Sequence, residues 1–273
     1  MPPQRKKLII CIDGGGIRGV IPLVHLREIQ LLLHRNLQDL QPEWWGTSTG
    51  ALISASLNVQ RDPRFIHRIQ SVLDLYEFRS RSTANPPRIP NPARAFEKLL
   101  ERNFGERSMR EFTNLNVVAC DELQGSARIF DSTSECSLAD AVRASCAVPG
   151  LFPPKTINGR SYVDGFFVAK NPAALAMAGK QPDKDTIVLS LGCGVLRDSD
   201  EIEESVARVH EEISKSSASH GFVYFRFDPI LRYAADAMQN ATPKNIFNLK
   251  RDAVDHIHEH WEKLAELATL LNH

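Results

Sequence analysis

The sequence predicts an α/β protein built on parallel strands, and three observations carry that reading. Leu8-Ile9-Ile10-Cys11-Ile12 is a continuous apolar run of strand length, the pattern of a strand buried on both faces, and Thr186 to Leu191 reads as a second strong buried strand. A glycine-rich loop, Asp13 to Gly19, ends the first run and opens a stretch with apolar residues at helical spacing. A second short strand, a Gly-x-Ser-x-Gly turn and another helix follow before residue 60. That order implies a parallel strand pair joined by a right-handed crossover.

Taken in order, Leu26, Ile29, Leu33, Leu37 and Leu40 extend a helix that starts near Val20. Pro22 falls in its first turn, where proline is tolerated. Gln41-Pro42 turns the chain into a strand that runs to Gly46, and a helix from about Thr49 to Leu57 leads away. Residues 60–112 read as helical and more exposed, except for Arg79 to Arg94. That stretch is rich in Ser, Pro and Asn and carries Arg79, Arg81, Arg88 and Arg94. It reads as a long flexible loop whose arginines suit either lipid phosphates or plain solvation. Asn116 to Cys120 and Ala127 to Phe130 are expected strands, and Ser137 to Ala147 a helix of small residues. Phe152-Pro153-Pro154 forces an extended segment. Tyr162-Val163 is a short strand entering Asp164-Gly165-Phe166. Asn171-Pro172 reads as a helix start, with Asn as cap and Pro in the first turn. Beyond Gly192-Cys193-Gly194 the chain reads as helical, over Glu201 to Lys215, Val223 to Gln239 and Asp252 to Leu271. No internal repeat and no second core stand out, so residues 1–273 read as one domain.

Composition narrows the function. The 33 basic and 33 acidic residues balance, so no global field is available to hold a nucleic acid polymer. Cys11, Cys120, Cys136, Cys146 and Cys193 are an odd count with no C-x-x-C pair. That favours reduced thiols in a cytosol-like compartment over a disulfide framework or a zinc site. Leu8 to Ile12 is too short for a signal h-region, and no stretch approaches the ~20 apolar residues of a membrane span. The expectation is a cytoplasmic protein.

Chemistry concentrates in three places. Ser48 sits between Gly46 and Gly50, with Thr47 and Thr49 beside it. Such a serine can be held out on a tight strand-to-helix turn, where a Cβ at either glycine would clash; an ordinary turn is the plainer reading. Gly14-Gly15-Gly16-Ile17-Arg18-Gly19 fits Gly-x-Gly-x-x-Gly after a strand and before a helix. The acid expected after the second strand of a dinucleotide site is missing, since Asp39 still lies in or near the first helix. There is no Gly-Lys-Ser/Thr either. Bare backbone N–H groups at that position suit a tetrahedral oxyanion; a packing turn is the alternative. A serine also needs a base. Of the nine histidines only His220, in Ser-Ala-Ser-His-Gly, has a loop-like setting. Ser48, Asp164 and His220 match the order Ser, acid, His, and the alternative is that Asp164 acts directly. His256 and His260 lie one helical turn apart and could share a metal. Neither they nor His210-Glu211-Glu212 form His-Glu-x-x-His, so an exposed helix face is the simpler reading.

Together these pieces resemble the patatin-like phospholipase family. Asp13 to Gly19 looks like its oxyanion loop and Gly46 to Gly50 like its nucleophile elbow. Arg143-Ala-Ser-Cys-Ala-Val-Pro149-Gly-Leu-Phe152-Pro-Pro154 is similar to the segment before its catalytic aspartate. Asp164-Gly165, followed by Asn171-Pro172, looks like its Asp-Gly segment. Phe166 departs from the pattern, standing where the family usually has Gly or Ala. The motif-bearing core spans about residues 8–195, leaving 196–273 as a helical extension without a motif. The resemblance implies a three-layer α/β/α fold with a mostly parallel central sheet. It also implies a Ser48–Asp164 dyad that needs no histidine, metal or other cofactor, and an oxyanion site at Gly14 to Gly19. Expected partners are a phospholipid or other lipid ester and the inner face of a membrane, touched peripherally. Some related bacterial enzymes are switched on by a bound nucleotide.

Overall fold

A computed structural model of the chain describes residues 6–59, 62, 64–81, 92–195 and 201–273. Strand β1 (Lys7–Ile12) sends Leu8, Ile10 and Ile12 into one buried cluster and Ile9 and Cys11 into another. Period-two alternation with apolar residues on both faces demands helices on both faces. The elements that follow supply them: α1 (Val20–Leu32), β2 (Glu43–Thr47), α2 (Thr49–Val59), α3 (Phe65–Arg81), α4 (Pro92–Phe104), β3 (Leu115–Asp121), β4 (Ser126–Phe130), α5 (Leu138–Ser145), β5 (Lys155–Ile157), β6 (Arg160–Asp164), α6 (Phe166–Ala169), α7 (Ala173–Met177), β7 (Thr186–Leu191), α8 (Glu201–His220), β8 (Val223–Phe227), α9 (Pro243–Glu259) and α10 (Trp261–Asn272). On one face Ile10, Trp44, Val117 and Leu189 of the sheet pack with Leu26 of α1, Ile69 of α3, Leu249 of α9 and Leu264 of α10. On the other, Ile9, Trp45, Val118 and Val188 meet Ala173 and Ala176 of α7 and Ile213 of α8. The result is the expected three-layer α/β/α arrangement around a mostly parallel sheet.

β8, β7, β1, β2 and β3 are parallel neighbours, in that order across the sheet. β3 then does something unusual with its edges. β4 pairs antiparallel with Val117 to Asp121 along one edge. On the other edge β2 reaches only to Thr47, opposite Val118, and antiparallel β6 takes over, with Asp164 opposite Ala119. Two strands therefore meet end to end along one edge of β3. The C-terminal residue of each is delivered to the same point.

Several expectations give way to tertiary context. Val223 to Gln239 is not a helix. Val223-Tyr-Phe-Arg-Phe227 pairs in parallel with Ile187 to Leu191 as the edge strand β8, and residues 228–241 cross the end of the sheet as a connection. The aromatic and β-branched residues of that run suit a strand, and pairing with a buried neighbour decides the matter. His220 does not sit in a loop: it is the last residue of α8, which is closed by Gly221 at φ 75°. The first helix stops at Leu32 and Leu37–Leu40 is a separate short 3-10 turn; the Gln30 side chain bridges the break by accepting the Leu37 N–H. The last predicted helix begins earlier, at Pro243 behind the Thr242 cap, and breaks at His260. The arginine-rich stretch is not a loop at its ends, where Arg79 and Arg81 lie in α3 and Arg94 in α4, because the flanking helices run on into it. Its residues 82–91 lie outside the described residues, as do the side chains of Arg79 and Arg81. Among the described residues no helix is long and apolar enough to cross a membrane.

Candidate active site

The meeting point of β2 and β6 places Ser48 and Asp164 together. Ser48 follows β2 in the left-handed region, at φ 54°, a conformation that costs a non-glycine residue about 1–2 kcal/mol. Two hydrogen bonds of its own hold it there, one of them relayed onward. Its N–H donates to Ser145 Oγ at 2.8 Å, and that hydroxyl donates in turn to Val118 O at 2.6 Å. Its own hydroxyl donates to Asp164 Oδ2 at 2.7 Å. The flanking glycines are needed for space. A Cβ on Gly46 would stand 2.5 Å from the Gly50 and Ala51 backbone, and one on Gly50 would run into Ile12 O of β1. Thr47 ties the turn to the next layer through Oγ1, which donates to Ala169 O at 2.7 Å. Thr49 and Gly50 open α2, both buried.

Asp164 is fully buried. Burial pushes its carboxyl up to about 7, against the pull of the Phe166 N–H on Oδ1 (2.8 Å) and the Ser48 hydroxyl on Oδ2. The departure at position 166 leaves this geometry intact because the contact it makes is a backbone one. The Phe166 ring turns towards the glycine loop, 3.4 Å from where a Cβ on Gly14 would sit, and packs edge-to-face with Phe167. Gly165 is the N-cap of the short helix α6. Cys146 also borders the pair. Burial raises its thiol far above the ordinary range, and the neighbouring Asp164 charge adds to the rise.

The glycine loop crosses the same end of the sheet, where β1 ends. The Gly14 N–H donates to Lys170 O, the Ile17 N–H to Met238 O at 2.9 Å and the Arg18 N–H to Gly15 O. The Gly15 and Gly16 N–H groups have no partner among the described residues. Gly19 leads into α1. The Arg18 side chain is buried and donates to Gly194 O at 3.3 Å. Asp13, at the foot of the loop, is gripped by both terminal nitrogens of Arg226 at 3.0 and 2.7 Å. Arg226 also reaches Ser190 and Asp228. Burial opposes its charge, but Asp13 and Asp228 outweigh it and hold the guanidinium protonated.

His220 is not brought to this point. It precedes β8, whose first residue pairs with Ile187 at the start of β7, so it lies at the opposite end of the sheet from Ser48. Its Nδ1 bonds Ser216 O within α8. His256 and His260 stack at 4.1 Å, and His256 Nδ1 faces His25 Nε2 at 3.1 Å. Sequence reading missed Ser145, Arg226 and Met238. The only local signal for any of them is the Ser-Cys-Ala-Val-Pro run that contains Ser145; the other two reach the loop from residues more than 200 positions away.

Comparison with known proteins places the chain. The family model described as patatin-like phospholipase matches residues 10–177. Among curated proteins, the cUMP-AMP-activated phospholipase of Escherichia coli is 26% identical over 212 residues, covering 68% of this chain and 64% of its own length. Patatin-like protein 6 of Arabidopsis thaliana is 26% identical over 242 residues, covering 71% of this chain and 48% of its own. This chain thus spans about half to two thirds of the length of these relatives. Among solved structures, VipD from Legionella pneumophila aligns over 94% of this chain and 67% of its own with a TM-score of 0.46 and 14% identity. The matched residues 10–177 make up more than half of the sequence and contain the glycine loop, Ser48 and Asp164, and the chain belongs to the patatin-like phospholipase family.

Proposed function

We propose that this protein is a lipid acyl hydrolase that cleaves fatty acyl esters of phospholipids or related lipids through a Ser48–Asp164 dyad. The observation that carries the proposal is the 2.7 Å hydrogen bond from Ser48 Oγ to a fully buried carboxylate. In the proposed reaction Ser48 Oγ attacks the ester carbonyl carbon as its proton passes to Asp164 Oδ2. The carbonyl oxygen, now negative, takes the free N–H groups of Gly15 and Gly16. The tetrahedral adduct collapses, the C–O bond to the lyso-lipid breaks, and the leaving oxygen takes the proton from Asp164. Water then attacks the acyl-Ser48 ester with Asp164 again as base, releasing fatty acid and restoring Ser48. A carboxyl raised to about 7 is a better base than an exposed aspartate, since catalysis is favoured when the base is poised near the working pH.

The rest of the proposal follows the family. The whole chain, 1–273, works as one domain, with α9 and α10 packed in the same layer as α1. It meets its substrate peripherally at the inner face of a membrane, in the cytoplasm. A nucleotide activator is proposed on the likeness to the E. coli enzyme, whose name carries cUMP-AMP. The test is hydrolysis of phospholipid vesicles by the wild type, Ser48→Ala, Asp164→Ala and His220→Ala, with and without cUMP-AMP. The proposal expects the first two variants to lose activity and His220→Ala to keep it. A loss in His220→Ala equal to that in Asp164→Ala would overturn the dyad.

A further inference from the structure

The glycine loop is held from outside by a part of the chain that lies beyond the family-matched residues. Met238 O accepts the Ile17 N–H at 2.9 Å, and Met238 lies so close over Gly16 that a Cβ there would run into the same carbonyl. Gly16 is at φ 59°, so the contact and the left-handed backbone reinforce each other. Met238 is itself fixed by α9. The Asp252 carboxylate accepts three successive N–H groups: Arg232 at 3.0 Å, Tyr233 at 3.2 Å and Ala234 at 3.0 Å. Asn245 Oδ1 accepts the Ala235 N–H, and its Nδ2 donates to Asn240 O, both at 2.8 Å. Asn248 Nδ2 donates to Tyr233 O. Asp252 and Asn245 are two turns apart on one helix face, and both are buried. Residues 232–240 are therefore a strap, bolted at both ends to α9, with Met238 pressed on the loop between the bolts.

The strap decides which loop amides are free. With Ile17 bonded to Met238, and Gly14 and Arg18 bonded elsewhere, only Gly15 and Gly16 keep unpartnered N–H groups among the described residues of the loop. Those are the donors assigned to the oxyanion above, and the inference rests on that reading. We propose that Asp252 is a positioning residue for the oxyanion loop, acting through the strap and the Met238 carbonyl. Without this grip the Ile17 N–H is released and Gly16 is free to leave its left-handed conformation. The two donors then lose their aim at a charge that exists only in the transition state, which lowers kcat and leaves KM alone.

The test is Asp252→Asn in the full chain, assayed on a fluorogenic phospholipid with active sites titrated by a fluorophosphonate. Expected are a kcat per titrated site lower by about tenfold and a KM within about twofold. Affinity for a trifluoromethyl ketone lipid analogue, which forms the tetrahedral adduct, should fall by the same factor, while affinity for an uncleavable ether lipid stays. Phe247→Ser, an exposed change on the same helix, should leave all of these unchanged. A kcat per site equal to wild type, with only the titratable fraction or melting temperature reduced, would mean Asp252 is merely structural. Should Asp252→Asn fail to fold, Asn248→Ala removes one strap bond nearer the solvent and should give the same pattern at smaller amplitude; an unchanged kcat there overturns the proposal. Amide exchange at Ile17 reads the clamp without substrate, and protection equal to wild type in the variant also overturns it. A wild type that neither hydrolyses lipid nor reacts at Ser48 would sink the serine reading instead, so the two failures are distinguishable.

Discussion

Thr47 and Asp164 occupy neighbouring rungs on one edge of β3, Thr47 opposite Val118 and Asp164 opposite Ala119. The strand that ends in the turn bearing Ser48 and the strand that ends in the Asp164 carboxylate abut along that edge. A carboxylate delivered this way needs no long loop to reach Ser48, and the pairing is set by the sheet itself. Ser145 completes the joint. Besides taking the Ser48 N–H, its own carbonyl accepts the Gly165 N–H at 3.3 Å, and the carbonyl of Ala147 accepts that of Asp164 at 3.1 Å.

Ser145→Ala is expected to lower kcat by about tenfold or more with little change in KM. The substitution leaves the buried Ser48 N–H without a partner, a penalty of about 1–3 kcal/mol borne by the strained turn at Ser48. Steady-state kinetics on a lipid ester, with a melting curve alongside, checks this; an unchanged kcat contradicts the role.

Activity should rise with pH through about 7 as Asp164 loses its proton. The stability effect runs the other way. The folded-state carboxyl is raised above its ordinary value, so its contribution is present in acid and lost as pH climbs from about 4 to about 7. Asp164→Asn removes that loss and should gain stability relative to wild type over the same window, by up to about 4 kcal/mol. Urea unfolding of both proteins at pH 4.5 and 8 measures the difference, and equal stabilities at pH 8 would contradict the burial of a charged Asp164.

Phe166→Ala should keep activity within a few fold on a soluble short-chain ester. The residue serves Asp164 through its N–H, which alanine retains, and its ring faces the glycine loop rather than the carboxylate. A loss as deep as that of Asp164→Ala would mean the ring itself holds the reacting geometry.

His25 and His256 should make the fold acid-sensitive. Burial lowers His25 to about 4 and His256 to about 3. Their rings meet between α1 and α9, beside Phe227 and His260, with the Asp228 and Glu259 carboxylates opposing part of the shift. The unfolded chain takes up protons below about 6.5 that the folded chain refuses. Stability from these groups is therefore present above 6.5 and lost as pH falls towards 4, by about 3 kcal/mol for His25. Because Asp164 tilts the opposite way, the readout is the difference between wild type and His25→Gln at pH 4.5 and 7. A difference that does not change with pH contradicts the assignment.

Much of the candidate site is legible in the sequence because its motifs are local. Glycines two residues on either side of Ser48, three consecutive glycines after a strand, and Asp-Gly after a short strand each satisfy a steric need of their own segment. What was illegible is made by distant pairing. Arg226 grips Asp13, and Met238 caps the Ile17 amide, through side chains and carbonyls that share no sequence pattern with the loop. β8 was misread because a five-residue aromatic strand runs directly into an irregular strap. His220 was misread although the Gly221 behind it is a helix-stop signal that pointed the right way. The end-to-end meeting of β2 and β6 on β3 is a property of registers, which the order of elements does not contain.

The proposed roles of Ser48 as nucleophile and Asp164 as its base can be read directly on the protein. The most direct measurement is peptide mapping by mass spectrometry after exposure to an alkyl fluorophosphonate. One adduct is expected on Ser48 in the wild type and in His220→Ala, none in Ser48→Ala, and sharply slowed labelling in Asp164→Asn. A wild type that hydrolyses lipid yet carries no adduct on Ser48, or labelling in Asp164→Asn as fast as in wild type, would contradict those roles.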